Sequence, residues 1–199
     1  MPTDWQTMED KLAKELTKSR FRHTQAVMYT ACSLAMRYDE NLDQVRTAGL
    51  LHDCAKCIPN KKKIEMCRKK NLPVSDFEME HPVLLHAKLG KYLAAEEYGI
   101  KDPEILSAIE WHTTGRPGMS QLEKIIYIAD YIEPGRDKAP RLNEIRRMAF
   151  TDLDQCMEMI LADTVSYLSS NPKSMDHKTV EAYQYYHLKQ SKERKGAES

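Results

Sequence analysis

The 199-residue sequence predicts an all-α protein, a single domain folded as a bundle of about nine to ten helices. Two observations predict this class. Nearly every segment repeats its apolar residues with helical period, and no stretch alternates for long with period two. Only 7 Gly stand against 11 Met, too few glycines for a turn-rich sandwich or barrel.

The elements follow in order. Trp5, Met8, Leu12 and Leu16 fall at helical spacing and predict a first amphipathic helix, which Ser19 interrupts. A second helix is expected from about Arg22 to Tyr38, with His23, Val27, Ala31 or Thr30, and Leu34 on its inward stripe. Asp39-Glu40-Asn41 offers capping residues for a third helix carrying Val45, Ala48, Leu51 and His52. Pro59-Asn60 breaks the pattern before a basic helix from Lys61 to Lys70, and Asn71-Leu72-Pro73 opens a loop. His81-Pro82 starts a long helix, with Pro in the tolerated first position and Gly99 just past the end. Asp102-Pro103-Glu104 is a second start signal, closed by Gly115. Ser120-Gln121-Leu122-Glu123 is a capping box that opens an apolar helix ending at Pro134-Gly135. Thr151 to Asp154 launches a helix to about Ser169, and the last helix covers Thr179 to Lys189. The domain is expected to span residues 1–190, with 191–199 a charged, disordered tail.

Composition narrows the function. Lys plus Arg number 30 and Asp plus Glu 30, so no whole-chain charge favours nucleic acid or an anionic membrane. No run of about 18 apolar residues is present, and the N-terminus lacks a basic segment followed by an apolar one, so the cytosol is the expected compartment. Five Cys, an odd number, fit reduced thiols rather than a disulfide framework. Cys54-x-x-Cys57 has no second CxxC and no βαβ context, and reads as structural. The Lys61–Lys63 and Arg68–Lys70 cluster reads as a solvated face, while Met148, Met157, Met159 and Tyr183, Tyr185, Tyr186 read as packing.

The informative positions are ionisable residues set inside apolar helical stretches. Asp130 lies in Ile125-Ile126-Tyr127-Ile128-Ala129-Asp130-Tyr131-Ile132, where a bare carboxylate is costly unless it is hydrogen-bonded, paired or on a metal. His52-Asp53 follows Gly49-Leu50-Leu51 in the last turn of a buried helix. Neighbours diverge by about 100° there, so the pair converges only at the edge of the inward face, a geometry that suits one oxygen and one nitrogen ligand. Lys56, four residues past His52 and three past Asp53, is close enough to share that pocket. His23, His86 and His112 each sit on the apolar side of a helix; singly, each reads as a satisfied core histidine. Together they are four imidazoles and two carboxylates spread over five helices, and convergence on metal gives each of them a partner. Six N/O ligands without a thiolate suit a pair of ions such as Fe(II), Mn(II) or Zn(II), whose surplus positive charge suits a phosphate substrate.

The pattern His23…His52-Asp53…His86…His112…Asp130 resembles the HD-domain metal-dependent phosphohydrolases. Within that superfamily the chain closely resembles the bacterial YqeK family of symmetrical diadenosine tetraphosphate hydrolases. The resembling segments are Arg20-Phe21-Arg22-His23-Thr24, Gly49 to Lys56, His86 to Gly90, Ala108 to Gly115 and Leu122 to Arg136. The resemblance implies an all-helical HD fold, a di-iron centre, and hydrolysis of the symmetrical polyphosphate to two ADP by a metal-bridging hydroxide. It implies His23, His52, Asp53 and Asp130 on one metal, with Asp53 bridging to a second that His86 and His112 hold. It places nucleotide contacts at Arg20, His23, Asp53, Lys56, His112, Thr113, Asp130 and Arg136, with Asp53 and Lys56 in catalysis. Water between two dications loses a proton near neutral pH, and Lys56 and Arg136 are placed to bind phosphate oxygens, Arg136 bidentately. Two rivals stand beside this reading. One is another HD activity, a nucleoside monophosphate phosphatase or alarmone hydrolase. The other is a non-catalytic helical protein stabilised by metal. No nucleic-acid or membrane partner is expected, and a homodimer stays open.

Overall fold

A computed structural model describes residues 4–170 and 175–197. Among them are eleven α-helices and no strand. In order they are α1 (Trp5–Glu15), α2 (Lys18–Tyr38), α3 (Leu42–Leu51), α4 (Asn60–Lys69), α5 (Asp76–Glu80), α6 (Leu85–Glu97), α7 (Pro103–Trp111), α8 (Gln121–Ile132), α9 (Leu142–Ala149), α10 (Leu153–Ser169) and α11 (His177–Ala197).

The caps explain most of the boundaries. Asn41 accepts the Asp43 and Gln44 N–H groups at the start of α3, and Asp102 accepts from Glu104 at α7. Ser120 and Glu123 close a complete capping box on α8. Four expectations are corrected. Thr17, not a residue after Ser19, caps α2 by accepting the Arg20 N–H, so α2 starts at Lys18 and Arg20 lies in its first turn. The long helix expected from Pro82 is broken: Pro82–Leu84 form a 3-10 turn, and α6 begins at Leu85. Two short helices were not expected. α5 follows a Ser75/Glu78 capping box, and α9 carries Leu142, Ile145 and Ala149 on one buried face. Finally, α11 runs to Ala197, eight residues beyond Lys189, because the charged stretch finds partners: Arg194 donates to Glu158 at 2.6 Å, and Gln190 is buried.

The core is one cluster in which α2 and α8 run through the middle, with α3 and α7 packed beside them and α10 and α11 covering the far side. The α2–α3 crossing is close. A Cβ at Gly49 would stand 2.9 Å from the Met28 Cα, so only glycine fits there. Met157, Met159 and Tyr186 are core residues, whereas Tyr185 is exposed. Among the basic residues of α4, Lys63 departs from the solvated face expected of it: it is buried, and its ammonium donates to Asn60 Oδ1. All five cysteines are free, Cys54 buried and Cys57 exposed. No helix among the described residues is long and apolar enough to cross a membrane.

Candidate metal centre

The central helices bring all six ionisable residues to one place, mostly by their ends. His52 and Asp53 are the first two residues past α3, and His112 is the first past α7. His86 is the second residue of α6, Asp130 lies in the last turn of α8, and His23 projects from within α2. The C-terminal ends of α3 and α7 suit this job, because the last carbonyls of a helix lack helical partners and can orient a side chain. His52 Nδ1 donates to Gly49 O at 2.7 Å, His112 Nδ1 to Ile109 O at 2.7 Å, and His86 Nδ1 to Val83 O at 2.5 Å. A carbonyl only accepts, so each of these rings carries its proton on Nδ1 and turns an Nε2 lone pair inward. His23 differs from these: its Nδ1 lies 3.1 Å from Glu133 Oε1 and its Nε2 3.1 Å from Asp130 Oδ1, so a carboxylate oxygen stands at each ring nitrogen.

Asp53 is almost fully buried at the centre, and its two oxygens face different groups. Oδ2 lies 3.6 Å from His52 Nε2 and 3.8 Å from His23 Nε2, and accepts from Arg20 Nη1 at 2.8 Å. Oδ1 lies 3.2 Å from His86 Nε2, 3.6 Å from His112 Nε2 and 3.7 Å from Lys56 Nζ. Asp130 Oδ1 stands 3.1 Å from His23 Nε2 and accepts from Arg136 Nη2 at 2.7 Å. Asp130 is half-buried rather than buried, because its end of α8 faces a cleft.

Burial and mutual contact set the charge states of these groups. Burial pushes His52 and His86 down to about 4, against the pull of the Asp53 charge, so both rings are neutral near pH 7. Burial alone would raise the Asp53 carboxyl, but His52, His112, His86 and Lys56 more than reverse this and hold it below the usual carboxylate range. Asp130 is held low in the same way, chiefly by His23. Buried His23 Nε2, His52 Nε2 and Asp53 Oδ1 have no hydrogen-bond partner. His86 Nε2 and His112 Nε2 face each other at 3.1 Å, although both rings spend their proton on a carbonyl. Thr113 Oγ1 lies 3.1 and 3.0 Å from the two nitrogens, and its one hydrogen can serve only one of them. Lys56 Nζ stands 3.0 Å from His86 Nε2, so with Thr113 both nitrogens have a donor, and the unpartnered atoms that suit a cation are those of His52 and Asp53. Two ligand atoms each about 2.1 Å from one ion, at right angles, stand about 3.0 Å apart.

Ligand atoms of His23, His52 and Asp130 lie within 4.8 Å of one another, as do those of His52, Asp53 and His112. The donor set therefore fits divalent cations, with neutral imidazoles and carboxylates and no thiolate. Lys56 donates to His86 Nε2 at 3.0 Å, inside the cluster as its spacing suggested. Arg20, His23 and Arg136 line a cleft of about 510 Å³ together with Tyr131, Glu133 and Lys138. Sequence reasoning missed Glu133. An acid ahead of Pro134-Gly135 reads as a helix stop, and no periodicity marks it as facing His23.

The profile of the HD domain matches residues 20–135. The chain is 40% identical over 155 residues to the Bacillus subtilis (strain 168) protein named symmetrical bis(5'-nucleosyl)-tetraphosphatase, covering 78% of this chain and 82% of that relative. The Staphylococcus aureus (strain NCTC 8325 / PS 47) protein of the same name is 38% identical over 179 residues, covering 88% and 91%. A crystal structure from Clostridium acetobutylicum, described as a predicted HD superfamily hydrolase involved in NAD metabolism, superposes with a TM-score of 0.89 at 41% identity, covering 94% of this chain and 98% of that one. The one fold carries the profile's residues and the converging histidines and aspartates alike, and the chain belongs to the HD-domain family of hydrolases, within the group that includes these tetraphosphatases.

Proposed function

We propose that this protein hydrolyses diadenosine tetraphosphate symmetrically, giving two ADP, at a centre of two divalent cations, with iron the first candidate and manganese or zinc the alternatives. The observation that carries this reading is the division of the Asp53 carboxylate, one oxygen toward His23 and His52 and the other toward His86 and His112. His23, His52, Asp53 and Asp130 would hold one ion, and Asp53, His86 and His112 the other. When bound, such a pair supplies Lewis acidity at a phosphoryl oxygen and lowers the pKa of a water.

The chain's own residues do the rest. His52 and His86, neutral and Nδ1-protonated, keep their lone pairs on the centre, and Asp53 and Asp130 stay ionised down to acid pH. Arg20 and Arg136 line the cleft beside the centre, and their planar forks match phosphate oxygens bidentately. Lys56 adds a point charge, and Thr113 a hydroxyl donor, on the His86/His112 side. The relatives named tetraphosphatases support a substrate with a nucleotide at each end.

The deciding experiment loads metal-free protein separately with Fe(II), Mn(II) and Zn(II), supplies diadenosine tetraphosphate, and resolves the products. ADP alone is expected. AMP with ATP, or phosphate released only from nucleoside monophosphates, would assign a different reaction to the same centre.

A further inference from the structure

We propose that Glu133 is a positioning residue that sets the His23 imidazole and the Arg136 turn with one carboxylate, so that part of the centre and an arm of the cleft are assembled as one unit. This rests on the reading of the site given above. Glu133 caps the end of α8 and is 4% exposed. Its Oε1 accepts from His23 Nδ1 at 3.1 Å, and its Oε2 accepts the Gly135 N–H at 2.5 Å. The Glu133 carbonyl accepts the Arg136 N–H at 2.9 Å, closing the turn from which the guanidinium reaches Asp130.

His23 needs such a partner and the other histidines do not. His52 and His112 stand just past the ends of α3 and α7 and His86 at the start of α6, each bonded to the carbonyl three residues back, whereas His23 lies inside α2, where carbonyls serve the helical ladder. The demand is specifically for a carboxylate. Two donors, Nδ1–H and the Gly135 N–H, converge on one side chain. A carboxylate accepts on both oxygens, whereas an amide must turn its NH₂ toward one of the donors. Gly135 belongs to the same device. Its φ is not positive, so its backbone does not require glycine. Space ties it to Glu133 instead: a Cβ there would stand 2.9 Å from Glu133 Oε2 and 3.1 Å from Oε1. An alanine at 135 would push the carboxylate aside without touching any group of the centre.

The test compares Glu133→Gln, Glu133→Ala and Gly135→Ala with the parent protein. It reads the tautomer of His23 from its ¹⁵N imidazole shifts in metal-free protein, metal retained per chain against a competing chelator, and kcat and KM with diadenosine tetraphosphate. The parent is expected to keep a proton on His23 Nδ1, directed at Glu133. Each variant should lower the protonated share of Nδ1, because Asp130 then holds the proton on Nε2, and weaken one of two metal equivalents by about 10- to 100-fold. KM should also rise, as the Arg136 turn loosens. Gly135→Ala should match Glu133→Ala in all three readouts. An unchanged tautomer and unchanged metal retention in Glu133→Gln or Gly135→Ala would overturn the proposal, even if Glu133→Ala proved too unstable to purify. The tautomer is read without metal or substrate. A parent protein that fails to cut diadenosine tetraphosphate therefore refutes the substrate reading while leaving the role of Glu133 to be decided.

Discussion

Asp53 and Arg136 touch the same cluster but should fail in different ways. Asp53 offers oxygens to both histidine groups, so Asp53→Ala is expected to lose metal and activity together, as elemental analysis and an ADP-release assay would show. Arg136 touches no histidine of the cluster, meets it through Asp130 and Glu133, and lines the cleft. Arg136→Ala should keep its metal and raise KM by about 10- to 100-fold, the worth of one charge-assisted pair. Loss of metal in that variant would contradict its role toward phosphate. At this scale the sequence was readable where chemistry clashed with pattern. A carboxylate in the run from Ile125 to Ile132, or a histidine among Val83, Leu84 and Leu85, stands out because burial penalises it. Glu133 clashes with nothing in its neighbourhood, and its partner His23 is 110 residues away, so only the fold reveals it.

Helices show the same contrast. Those with a capping residue, a helical stripe and a glycine or proline stop were legible within a few residues, α7 and α8 best of all. α5 and α9 escaped because five and eight residues give too few repeats to show a period. The end of α11 escaped because its partner Glu158 lies on α10, far back in the chain. One packing constraint belongs wholly to this scale. α2 and α3 approach so closely at Gly49 that Gly49→Ala must drive a methyl into the Met28 backbone. It is expected to cost about 1–3 kcal/mol, measured as a lower urea midpoint, even though alanine favours helix. A neutral or stabilising result would mean that the helices can part at no cost.

Over the whole molecule, the buried histidines set a pH dependence. His52 and His86 titrate near 6.5 when unfolded and about 4 when folded, so the unfolded chain binds their protons first. Stability of the metal-free protein is therefore independent of these two groups above about 6.5 and falls as pH drops from there toward 4. Asp53 and Asp130, held below their ordinary 3.8, extend the loss further into acid. Urea titrations of metal-free protein from pH 7 to 4 should show a steadily falling midpoint, and a flat profile would contradict it. The matched profile ends at residue 135, yet the core continues through α10 and α11, where Met157, Ile160, Ala182 and Tyr186 are buried. A fragment of residues 1–140 is accordingly expected to lack a cooperative thermal transition.

The Tyr186 hydroxyl accepts the Met119 N–H, next to the Ser120 cap of α8, and Asp130 rides on the other end of that helix. The carboxyl-terminal helix thus grips one end of a lever whose other end reaches the reaction centre. A fusion or tag that pries α11 from α10 would be felt some sixty residues upstream in sequence, by a centre that contains no residue from that helix.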